Sequence, residues 1–128
     1  METIITNGIK VSVESFYLEK ESQPRQGRFA FGYKVRIENL SSSRVQLLAR
    51  HWFISDSDGT NKEVEGEGVV GQMPVLTPGQ SYEYTSWCPL NSEIGKMQGF
   101  YIMKVLNTGK LFRAAIPEFK LIAPHRCN

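Results

Sequence analysis

The sequence predicts an all-β chain folded as an antiparallel two-sheet β-sandwich. Three observations carry that prediction. Apolar residues recur with period two rather than 3.6. Turn-forming clusters interrupt the alternation at Ser41-Ser42-Ser43, Asp56-Ser57-Asp58-Gly59, Thr77-Pro78-Gly79 and Asn107-Thr108-Gly109. No stretch has the pattern of an amphipathic helix, which a parallel sheet would need for its crossovers. A small closed barrel is the alternative architecture.

Taken in order, Ile9, Val11, Val13 and Tyr17 suggest a first strand. The clearest segment is 28–39: Phe29, Phe31, Tyr33, Val35 and Ile37 fall on one face, and Arg28, Lys34, Arg36 and Glu38 on the other. A helix would scatter those aromatic rings around its circumference. Val45, Leu47, Ala49, His51 and Phe53 predict the next strand with one shared face, and 61–67 predicts a short strand after the Asp-rich turn. Tyr82 and Tyr84 alternate with polar residues over 81–85. Segments 99–106 and 110–116 read as a hairpin around Asn107-Thr108-Gly109. Pro117 fits a strand end, since proline cannot donate to an interior ladder, and 119–122 reads as a last short strand.

Composition narrows the function classes. A chain of 128 residues with 41% hydrophobic and 22% charged residues suits one domain, 1–128, with a core of its own. A net charge of +2 argues against a disordered tail or an extensive nucleic-acid binder, which relies on many phosphate contacts. No segment approaches the ~20 apolar residues of a membrane helix. The start, METIITNG, lacks the basic flank and apolar run of a secretory signal. With only Cys88 and Cys127, the expectation is a cytoplasmic protein with reduced thiols, a single bridge between them being the alternative.

Several motifs invite chemistry and are weighed against simpler readings. Gly66-Glu67-Gly68-Val69-Val70-Gly71 matches GxGxxG, the glycine pattern of dinucleotide-binding turns. That reading requires a following helix, and Gln72-Met73-Pro74 opposes one. Glu63, Glu65 and Glu67 would also repel a phosphate, and Lys62 is the only cation nearby. A bent glycine-rich loop is preferred. The same three carboxylates share one strand face and could meet a divalent cation only weakly, so a solvated acidic edge is the simpler reading. Arg28, Lys34, Arg36, Arg44 and Arg50 would make a positive surface if their strand faces were coplanar. His51 could pair with Cys88, or with His125 and Cys127, but nothing in the spacing joins them, and a structural histidine and a buried thiol are preferred.

From Arg50 onward the chain resembles the ApaG family. The likeness rests on Arg50-His51-Trp52, the segment from Val64 through the glycine motif to Pro74, Leu76-Thr77-Pro78-Gly79, Tyr82-Glu83-Tyr84-Thr85-Ser86, Gly95-Lys96-Met97-Gln98-Gly99 and Ile116-Pro117-Glu118-Phe119-Lys120-Leu121. With the N-terminal strands in register it covers essentially the whole chain, as in the bacterial stand-alone form. The resemblance implies a fibronectin type III-like, immunoglobulin-like sandwich. It also implies a binding role: similar domains occur in F-box substrate receptors and a polymerase-interacting protein. Bacterial members are encoded beside a diadenosine tetraphosphate hydrolase, and one was named for cobalt and magnesium resistance. Trp87 departs from the family pattern, where glycine is usual.

No acid–base pair, closed metal constellation or nucleophile triad emerges, so the expectation is a non-enzymatic binding module without a cofactor. Its candidate contact residues are Gly66, Gly68, Gly71, Arg50, His51 and Trp52. An unidentified protein is the expected partner. A small ligand, either a nucleotide polyphosphate or a divalent cation, is the alternative. Neither nucleic acid nor membrane is expected.

Overall fold

The computed structural model describes residues 1–124. Nine strands follow in chain order: β1 (Glu2–Thr6), β2 (Ile9–Tyr17), β3 (Phe29–Asn39), β4 (Val45–Asp56), β5 (Asn61–Glu67), β6 (Val75–Leu76), β7 (Ser81–Leu90), β8 (Ile94–Val105) and β9 (Leu111–Ile122). Two single 3-10 turns, Glu19–Glu21 and Pro24–Gln26, join β2 to β3. One sheet has the order β1-β2-β3-β7 and the other β5-β4-β8-β9, with short β6 paired to the start of β4. Every pairing is antiparallel, so the chain is an all-β two-sheet sandwich. Among the described residues no helix is long and apolar enough to cross a membrane.

The alternation in β3 is realised as expected, with Phe29, Phe31, Tyr33, Val35 and Ile37 buried and Lys34 and Arg36 exposed. Tyr33 and Trp52 meet edge to face at 5.3 Å across the core, and Phe119 lies 5.8 Å and 5.9 Å from them. The Tyr84 and Tyr101 hydroxyls bond at 2.5 Å and tie one sheet to the other. Burial pushes both phenols well above their ordinary range.

The strands differ from the sequence-based expectation in several places. β1 was not foreseen; it folds back on β2 through Asn7-Gly8, both at positive φ (50° and 78°), as a two-residue hairpin turn demands. β7 and β8 run further than the alternation indicated, to Leu90 and from Ile94. Segments 110–116 and 119–122 form a single strand, β9. Pro117 is tolerated inside it because β9 is an edge and its register against β8 shifts at that point, between Met97 and Gly99. Finally, the predicted shared face of β4 is broken. Leu48 is an extra residue between Leu47 and Ala49, so Val45 and Leu47 point into the core while Ala49, His51 and Phe53 turn outward and Trp52 turns in.

The two sides of the sandwich are closed differently. On one side β9 is stitched to β1 and β2. Asn7 Nδ2–H donates to the Arg113 carbonyl (2.9 Å), the Ala115 N–H to Thr6 Oγ1 (2.8 Å), and the Ser15 hydroxyl to the Lys120 carbonyl (2.8 Å). On the other side the edges β5 and β7 belong to different sheets and flank a cleft. A single basic face is also ruled out, because β3 and β4 lie in separate sheets. Lys34 pairs with Glu83 (3.0 Å) and Arg36 with Glu38 (3.6 Å).

Candidate functional site

The glycine motif spans the end of β5 and the loop that follows. Gly66 lies opposite Arg50, and a Cβ there would come within 2.6 Å of the guanidinium. Arg50 uses that space to donate from Nη1 to the Glu67 and Gly68 carbonyls, at 3.0 and 2.9 Å. Gly68 has φ +61°, its N–H donates to the carbonyl of the bulged Leu48 (2.8 Å), and a Cβ would sit 2.2 Å from the Gln72 carbonyl oxygen. Arg50 and Gly68 therefore fasten the base of the loop to β4.

Beyond that base, Val69 and Gln72 exchange backbone hydrogen bonds at 2.8 and 2.9 Å around the pair Val70-Gly71. Both central residues have positive φ, 47° and 77°, the geometry that usually selects Asn-Gly. Valine is a poor choice there, since its branched Cβ crowds the backbone in the left-handed region. Val69 is fully buried and anchors the turn. Val70 is 61% exposed, with Met73 and Val75 each 40% exposed beside it. The loop thus carries a strained apolar tip. Its Gly68, Val69 and Gln72 amides are already bonded to backbone carbonyls and no helix follows, so it is not a phosphate cradle of the dinucleotide-binding kind.

Arg50-His51-Trp52 does not act as one cluster. His51 lies on the outer face of β4, its ring stacked on Phe100 at 4.9 Å. Its Nε2 is 3.3 Å from Glu63 and its Nδ1 is 3.2 Å from Glu65. One ligand atom from each of the three residues lies within 4.8 Å of the others. An imidazole and two carboxylates in that arrangement suit a borderline divalent ion better than Mg²⁺, which favours all-oxygen octahedra. Sequence reasoning found the carboxylates but not their histidine. The missing signal was the Asp-rich turn: His51 and Glu65 lie equally far either side of Asp58, so a hairpin there places them opposite each other.

Trp52 is buried, and its Nε1–H has no hydrogen-bond partner among the described residues. Cys88 lies on β7, in the other sheet from His51, so that pairing is not formed. Burial pushes the Cys88 thiol up to about 11, which keeps it protonated and unreactive near neutrality. His125 and Cys127 lie outside the described residues. Trp87 is 63% exposed, on β7 opposite Gly32, and the Phe16 ring covers that glycine on the same face.

Comparison with known proteins agrees with this architecture. A family model described as the ApaG domain matches residues 19–105. A protein of Brucella canis named Protein ApaG is 48% identical over 126 residues, spanning 98% of this chain and 96% of its own. Its namesake in Brucella anthropi is 47% identical over the same shares. A crystal structure titled as the ApaA protein of Bordetella pertussis superposes with a TM-score of 0.87 at 45% identity, covering 91% of this chain and 94% of that one.

Proposed function

The chain belongs to the ApaG domain family, and from that premise we propose that it is a non-catalytic, cytoplasmic binding module that engages a protein partner through residues 68–75. The observation that carries this reading is Val70. An exposed β-branched residue is held in left-handed backbone at a cost of about 1–2 kcal/mol, where asparagine or glycine would relieve the strain. Selection for folding alone would favour the relaxed residue; an apolar contact made by the tip explains its absence. Loops carried on a rigid sandwich are a common place for such contacts. The low nucleophilicity of Cys88 and its separation from His51 fit a role without chemistry. Val70→Asn is expected to reduce recovery of proteins captured by the immobilised chain from its own cell extract by about tenfold, with the circular dichroism spectrum unchanged. Equal recovery would remove the loop from the binding surface.

A second reading is favoured by the His51, Glu63 and Glu65 grouping: a weak divalent-cation site on the outer face of β4 and β5. Titration calorimetry is expected to show millimolar-range heat with Co²⁺, little with Mg²⁺, and none with Co²⁺ after His51→Gln. Heat that survives His51→Gln would place the ion elsewhere.

A further inference from the structure

We propose that the cleft between the open edges β5 and β7 binds a small organic anion, one acidic group carried on a flat apolar body. This site shares Arg50 with the base of the loop at residues 68–75 but does not depend on that loop's role. The cleft has a volume of about 270 Å³, with walls drawn from both sheets. That volume suits a molecule with a single ring rather than anything larger.

Three features define its chemistry. First, Trp52 lines the cleft, is only 2% exposed, and its indole N–H, itself buried, has no partner among the described residues. A buried donor left unpaired costs about 1–3 kcal/mol, which a ligand acceptor would recover. Second, the ionised groups in the lining are cations: Arg50 and Lys62 are present and no carboxylate is. Neither cation forms an ion pair with a carboxylate among the described residues; Arg50 is bonded to backbone carbonyls. Third, Trp52, Val64 and Met97 supply apolar and aromatic surface beside that donor. A donor, two positive charges and flat apolar walls together select an acidic group on a ring-sized body.

The two indole N–H signals of the ¹⁵N-labelled protein provide a direct readout, and a Trp87→Phe variant identifies the one from Trp52. Benzoate and phenyl phosphate are the probes, with inorganic phosphate and benzyl alcohol as the body-free and charge-free comparisons. The proposal expects a saturable shift of the Trp52 signal with benzoate or phenyl phosphate, and the better of the two tells whether the preferred group is a carboxylate or a phosphate. Lys62→Met, a change at an exposed position that the fold tolerates, should weaken that binding about tenfold. No shift with either probe, an equal shift with benzyl alcohol or inorganic phosphate, or unchanged binding in Lys62→Met would each overturn it.

Discussion

Gly99→Ala is expected to lower the free energy of unfolding by about 3 kcal/mol or more. A Cβ at Gly99 would lie 2.0 Å from the His51 carbonyl oxygen and 3.1 Å from the Trp52 Cα. These are backbone atoms of β4, an interior strand of its sheet, held by β5 on one side and β8 on the other. They cannot swing aside as the end of a flexible side chain would. The only relief is to part β4 from β8 beside the Tyr33–Trp52–Phe119 cluster, which opens the core. Urea unfolding checks this, with the midpoint falling steeply or the variant failing to accumulate in soluble form. Gly71→Ala is the fitting control. Its Cβ would meet open space, so only the positive φ is penalised, at about 1 kcal/mol.

Asn39→Ala is expected to cost about 3 kcal/mol and to lower Tm by roughly 10 °C. The residue is fully buried at the end of β3. Its Nδ2 donates to the Ser43 carbonyl (2.8 Å) and the Leu76 carbonyl (3.0 Å). Its Oδ1 accepts from the Ser41 N–H (3.0 Å) and the Ser41 hydroxyl (2.6 Å). One side chain thereby shapes the turn from β3 to β4 and holds β6 against it. Alanine would fill none of these roles and would leave several polar groups without partners in a dry site. Asp is expected to be no rescue, because it keeps the acceptors, loses both donors and introduces a buried charge. Thermal unfolding of the two variants beside the wild type tests the point.

What could be read from the sequence follows from how local the causes are. The period-two pattern of β3 is imposed by one strand lying over one core, so Phe29 to Ile37 announced it without any partner. The hairpin of β8 and β9 was likewise announced by Asn107-Thr108-Gly109, whose Gly109 has the positive φ such a turn needs. Asn7-Gly8 carries an equally local signal for β1. The bulge at Leu48 was not legible in the same way. It depends on the register between β4 and β8, which no short window contains, yet it decides that His51 faces solvent and Trp52 the core. The candidate site shows the same division. Glycines at 66, 68 and 71 were conspicuous, but their roles separate only in three dimensions: space for Arg50, close approach to Gln72, and an open turn. The family resemblance gave the architecture correctly and left the contact surface to the geometry.

The loop account turns on Val70 being kept at a conformational cost for the sake of what it touches. Denaturant unfolding of the Val70→Asn variant, run beside partner capture on the same preparations, tests that most directly. The account predicts opposite signs: stability higher by about 1 kcal/mol, because asparagine accepts the left-handed backbone, and capture sharply reduced. A variant that is no more stable than the wild type, or one that is more stable and still captures the same proteins, would contradict it.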